Sequence, residues 1–117
     1  MKIIIAGGRD FASVVMMGMF CDRALGKLRF DDVELISGGA PGADTLAEDY
    51  AKTRRYKFKR FDADWDRFGK AAGPIRNRQM AEYADGLIAF WDGKSPGTKN
   101  MIEIAKELGL KTRIKMY

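Results

Sequence analysis

The sequence predicts an α/β fold, a single three-layer domain in which a five-stranded parallel sheet of order 3-2-1-4-5 lies between two layers of helices. Three observations carry that expectation. Short apolar runs alternate with segments of helical periodicity along the whole 117 residues. Some of these runs are apolar on both faces, whereas others carry basic residues at every second position. Glycine-rich turns follow the first, second and fourth runs, where a strand hands over to a helix.

The first strand is read at Lys2 to Ala6, and Ile3-Ile4-Ile5-Ala6 is apolar on both faces, as a strand covered by helices on both sides must be. A helix follows from about Ser13 to Leu28, burying Val14, Met17, Cys21, Leu25 and Leu28. The second strand, Val33 to Ser37, is nearly as apolar, and the helix from about Ala43 turns Leu46, Ala47 and Tyr50 inward. Tyr56 to Phe61 makes the third strand; its Tyr56-Lys57-Phe58-Lys59 alternation belongs at a sheet margin. A third helix begins near Pro74, since proline is favoured in a first helical turn, and carries Ile75, Met80 and Ala84. Gly86 to Trp91 is the fourth strand, apolar on both faces at Leu87-Ile88-Ala89-Phe90. The fourth helix opens after Gly97 with Met101, Ile102, Ala105 and Leu108 inward, and Gly109 stops it. Lys111 to Met116 alternates again and takes the other margin. Right-handed crossovers then place strands one and four side by side at the point where the winding reverses, which is where open α/β sheets bind ligands.

Composition narrows the chemistry. With 46% hydrophobic residues, the 117-residue chain suits one domain over residues 1–117. No apolar run approaches the roughly 18 to 20 residues of a membrane span, and Met1-Lys2-Ile3-Ile4-Ile5 lacks a signal-peptide cleavage region, so the expected location is the cytoplasm, away from any membrane. Cys21 is the single cysteine and histidine is absent, which leaves no internal disulfide, no cysteine metal cluster and no histidine-based triad. No cofactor is expected, and any chemistry falls to carboxylates, arginines, lysines, hydroxyls or backbone. The net charge of +5 favours anionic partners, whether small phosphates or nucleic acid.

The turns are Gly7-Gly8-Arg9-Asp10, Ser37-Gly38-Gly39-Ala40-Pro41-Gly42-Ala43-Asp44 and Asp92-Gly93-Lys94-Ser95-Pro96-Gly97-Thr98. Glycine lets backbone N–H groups approach an anion, and the positive end of the following helix attracts it. The longest turn is neither the dinucleotide fingerprint, because its spacing differs, nor a Walker loop, because no Gly-Lys-Ser/Thr follows. Arg9, Arg76 and Arg78 are candidate anion clamps. Arg76 is read in the first turn of the third helix, where a cation opposes the helix dipole and calls for another reason, such as a bound anion. Asp10, Asp44 and Asp92 suit ribose hydroxyls or a base edge; Asp44 equally suits a helix cap. Thr98 can cap its helix or offer a hydroxyl to phosphate. Trp65 and Trp91 can stack on a base or pack. Lys52, Arg54, Arg55, Lys57, Lys59 and Arg60 read as a solvated edge or as a nucleic-acid patch.

These motifs, with Ala72-Gly73-Pro74-Ile75-Arg76-Asn77, together resemble the SLOG superfamily, its small YspA-core-like branch above all, which is common in bacteria and their phages. The resemblance covers nearly the whole chain. It implies a Rossmann-like fold that binds nucleotides or nucleotide-derived ligands at the strand ends. Relatives include the LOG phosphoribohydrolases, which release the base from nucleoside monophosphates, the DNA-processing protein DprA, and ligand-sensing domains of defence systems. Arg76 with Asn77 stands where the LOG enzymes carry an arginine-lysine pair, and Gly97 and Thr98 match their glycine-threonine turn. Their catalytic glutamate comes three residues after the threonine, and here that position is Met101. Glu103 lies about 200 degrees further around the helix. The expectation is a nucleotide-binding sensor or sequestering protein, with Gly7, Gly8, Arg9, Gly38, Gly39, Gly42, Asp44, Arg76, Asn77, Asp92, Gly97 and Thr98 at the ligand. The alternatives are a nucleotide N-glycosidase and a nucleic-acid-binding module; self-association as a homo-oligomer stays open.

Overall fold

A computed structural model describes residues 1–117. Five parallel strands, β1 (Lys2–Gly7), β2 (Glu34–Ser37), β3 (Lys57–Arg60), β4 (Gly86–Trp91) and β5 (Lys111–Met116), form one sheet ordered β3-β2-β1-β4-β5. The expected Rossmann-like arrangement is therefore present. Alternation along β1 explains its unbroken apolar run. Ile3 and Ile5 face a core shared with Met17, Cys21 and Leu25 of α1 (Val14–Leu25) and Ala43, Ala47, Tyr50 and Ala51 of α2 (Ala43–Arg54). Ile4 and Ala6 face a second core with Met80 and Ala81 of α4 (Ala72–Tyr83) and Met101, Ile102, Ile104 and Ala105 of α5 (Pro96–Glu107). Each large side chain so buried stabilises the fold by roughly 1.5–3 kcal/mol. The margins are β3 and β5, whose Lys57, Lys59, Lys111 and Arg113 stay exposed. No helix is long and apolar enough to cross a membrane.

Four local expectations are corrected. Val14 is 68% exposed, because Ser13 caps α1 through the Met16 N–H and the inward packing begins only with half-buried Met16 and buried Met17. That helix ends at Leu25, and Leu28 reaches the core, half-buried, from the turn beyond it. Leu108, just past α5, is 40% exposed, and Ile104 fills the inward position instead. A one-turn helix, α3 (Trp65–Phe68), capped by Asp64, leads through a 3-10 turn at Gly69–Ala71 into α4, which begins at Ala72. Arg76 thus lies in the second turn of α4, and the first-turn dipole argument for it does not hold.

The carboxyl ends of β1, β2 and β4 open onto three loops on one side of the sheet. These loops, with α4, bound the site.

Candidate functional site

The wall after β4 is built by hydrogen bonds local in sequence. Asp92 Oδ1 accepts the N–H groups of Lys94 (2.8 Å) and Ser95 (2.7 Å), folding the loop back on itself, and these two donors hold its carboxyl below the usual carboxylate range. Trp91 Nε1 donates to the Ser95 carbonyl at 3.1 Å. Pro96 starts α5, which has no acidic residue in its first turn and no side chain capping it. The N–H groups of Gly97 and Thr98 therefore have no intrahelical acceptor, and they sit at the positive end of the helix. Thr98 is 4% exposed, its hydroxyl 3.3 Å from that of Ser95.

The turn after β2 is closed by its own polar groups. The Ser37 hydroxyl donates to the Asp44 carbonyl (3.3 Å) and accepts the Gly39 N–H (3.4 Å), while Asp44 Oδ2 accepts the Ala40 N–H (3.0 Å). Burial pushes the Asp44 carboxyl up, against the opposing pull of the Ala40 N–H and Arg76. Gly42 has φ +80°, and a Cβ there would lie 2.4 Å from the carbonyl oxygens of Gly8 and Arg9, so only glycine lets the first and second turns close on each other. The Ala43 N–H donates to the Gly8 carbonyl at 3.1 Å, completing that seam.

Arg76 joins the two halves. Its Nη1 donates to the Gly38 carbonyl at 2.6 Å and its Nε to Asn77 Oδ1 at 3.1 Å; Asn77 Nδ2 in turn donates to Asn100 Oδ1 on α5 at 2.9 Å. Burial lowers the Arg76 pKa against the attraction of Asp44, yet a guanidinium stays charged in a protein. Its Nη2 makes no hydrogen bond within the protein.

Together these elements enclose a cleft of about 610 Å³ at the ends of β1 and β4, within the range of small-ligand sites. Gly7, Arg9, Asp44, Arg76, Asn77, Asp92, Gly97 and Thr98 line it, as do Asp10 and Trp65. Met101, 1% exposed, lines it as an apolar residue. No group of three or more histidine, cysteine, aspartate or glutamate side chains is placed to hold a metal ion.

A family model described as the YspA, cpYpsA-related SLOG family matches residues 1–68. The chain belongs to this SLOG family. The matched residues contain the first two glycine turns; α4 and α5 lie beyond them. Gene 61 protein of Mycobacterium phage D29 is 35% identical over 82 residues, covering 65% of this chain and 66% of that protein. Among solved structures, DprA of Streptococcus pneumoniae superposes with a TM-score of 0.76 at 20% identity, over 97% of this chain and 49% of that one. DprA of Helicobacter pylori, described for its single-stranded DNA binding mode, gives 0.65 at 19% identity, over 97% and 64%. These likenesses show a shared fold. The SLOG chain spans about half to two thirds of the length of these proteins.

Within this SLOG chain the expected residues divide by role. Gly38 and Gly39 line an adjoining smaller lobe rather than the main cleft. Gly8 and Gly42 line neither; Gly42 packs the two turns together, and Gly8 lies under the Tyr117 hydroxyl, which donates to Asp10 Oδ1 at 2.6 Å. Asp44 is not a helix cap, because its carboxylate closes the turn behind it. Arg78 points away and pairs with Glu107 at 3.1 Å. Trp91 lines neither space. Asn100 was missed: it lies two residues past Thr98 on α5, and only the packing of α4 on α5 brings it to Asn77.

Proposed function

We propose that the cleft binds a nucleotide-derived small ligand, and that the protein acts in the cytoplasm as its sensor or sequestering protein. The observation that carries this reading is the uncapped N-terminus of α5 opening onto the same cleft as Arg9 and Arg76. A phosphate there would receive the Gly97 and Thr98 N–H groups and the free Nη2 of Arg76. Asp44 keeps Oδ1 for a ribose hydroxyl, since its Oδ2 is engaged by Ala40. Asp92 contributes by shaping the loop, its Oδ1 being already shared by two backbone donors. Binding without base release is favoured because Met101 places a thioether in the cleft where the LOG enzymes that the chain resembles carry their catalytic glutamate. Asp44, whose carboxyl burial holds up, lines the cleft and is the candidate acid if base release does occur.

The test is thermal stability across a panel of nucleoside monophosphates, ADP-ribose forms and cyclic nucleotides, with free base followed in parallel. A ligand at 100 times its Kd adds about 2.7 kcal/mol to the folded state. The expected result is a rise of several degrees for at least one phosphorylated ligand with no base released. A panel without any shift at millimolar concentration would overturn the reading.

A second reading, nucleic-acid binding, is favoured by Lys57, Lys59 and Arg60, exposed along the β3 margin beside the site. It predicts binding of single strands that weakens steeply with salt; no binding at about 50 mM salt would remove it.

A further inference from the structure

A second lobe of about 290 Å³ opens off the main cleft, and Arg9, Ala40, Trp65 and Arg76 line both. Its floor is the Gly38-Gly39 backbone, and two guanidinium groups lie close over the places a side chain would take there. A Cβ on Gly38 would lie 2.6 Å from Arg76 Nη1, and one on Gly39 would lie 2.3 Å from Arg60 Nε. Three guanidinium groups, those of Arg9, Arg60 and Arg76, thus surround this lobe. One carboxylate lines the lobe with them, Asp62, which accepts from Arg60 Nε at 2.6 Å, while Asp44 attracts Arg60 and Arg76 from outside the lining. Trp65 stands at the waist between the lobes, 51% exposed, with its ring edge over Gly73.

We propose that this lobe is a second phosphate subsite, so that the ligand is a nucleotide carrying a further phosphate on its far side. A nucleoside 3′,5′-bisphosphate, or the phosphodiester of the next nucleotide in a strand, has this chemistry. The inference rests on the nucleotide reading of the main cleft. One phosphate lies at the α5 N-terminus; the nucleoside crosses the waist, where Trp65 offers a face for stacking; the second phosphate meets Arg9, Arg60 and Arg76. Arg60 has to exchange its partner, Asp62, for the phosphate or share itself between them. Both side chains are well exposed, 48% and 69%, which keeps that exchange cheap.

Calorimetric titration of 5′-AMP and adenosine 3′,5′-bisphosphate tests this. The bisphosphate is expected to bind at least tenfold more tightly. Arg60→Ala should abolish that advantage while leaving the 5′-AMP affinity within twofold, and Asp62→Ala, which frees Arg60, should strengthen bisphosphate binding severalfold. Equal affinity of the two ligands for the unaltered protein, or an Arg60→Ala loss that falls on both alike, would overturn the second subsite and leave the main-cleft reading standing. If neither ligand binds at millimolar concentration, both readings fall. Competition by a 20-nucleotide adenosine strand assigns the second phosphate to a polymer, and failure to compete assigns it to a free small molecule; either result upholds the subsite.

Discussion

Replacing Arg76 by alanine separates its two roles, holding the β2 turn and meeting the ligand. In folding, the change removes one charge-assisted hydrogen bond to the Gly38 carbonyl at 2.6 Å and a weaker one to Asn77 at 3.1 Å. Bonds from charged donors contribute about 1.5–3 kcal/mol each. Arg76 is only partly buried and the Gly38 carbonyl can turn to water, so the expected loss is about 2 kcal/mol, read as a lower urea midpoint at unchanged slope. In binding, the loss of one guanidinium contact to phosphate at about 2 kcal/mol weakens 5′-AMP roughly 30-fold. Arg76→Lys keeps the charge but cannot bridge Gly38, Asn77 and a phosphate together, so it should recover part of the affinity and little of the stability. Titration calorimetry and urea unfolding on the same samples give both quantities. A folded Arg76→Ala protein that binds 5′-AMP within threefold of the parent would remove Arg76 from the ligand site. Unchanged stability would mean that the bridge to Gly38 contributes nothing.

Three further perturbations test the frame. Burial raises the Asp44 pKa, so its contribution is favourable at acid pH and is lost as the pH rises through its own elevated value; Asp44→Asn should melt higher than the parent at pH 7, with the difference closing towards pH 3. A lower melting temperature for the variant at pH 7 would contradict that sign. Gly42→Ala would place a methyl against two carbonyl oxygens at a positive φ and should cost about 3 kcal/mol or more in urea unfolding. Phe90→Ala empties a fully buried site stacked on Phe11 and edge-on to Phe20; the expected loss is about 3–5 kcal/mol, and a loss under 1 kcal/mol would argue against that packing.

Much of the fold is legible because the sheet imposes strong patterns. Ile3-Ile4-Ile5 and Leu87-Ile88-Ala89 can only lie between two helical layers, and the lysine alternation of β3 and β5 can only lie at margins, which leaves little freedom in the strand order. Helix ends were harder to read. Val14 and Leu108 continue the apolar spacing yet fall where their helices meet solvent, and α3 is too short for any period to reveal. Its presence, together with the 3-10 turn, moves the start of α4 and with it the position of Arg76. The glycine turns were legible as places where backbone must come close to something. Sequence does not say to what: Gly42 meets the neighbouring turn, Gly38 and Gly39 meet arginines, and Gly97 has open space beside it. Asn100 gives no local signal of a site, being an ordinary helix residue until α4 packs on α5, and Arg60 is legible only as one charge of a basic edge, not as a neighbour of Gly39.

The most direct measurement is a titration of ¹⁵N-labelled protein with 5′-AMP, followed by amide shifts. Phosphate at the start of α5 predicts the largest downfield movements at the Gly97 and Thr98 amides, smaller ones at Gly38 to Ala40, and none along the outer face of α1. A spectrum unchanged to millimolar ligand, or shifts confined to surface lysines of β3 and β5, would contradict the cleft as a nucleotide site.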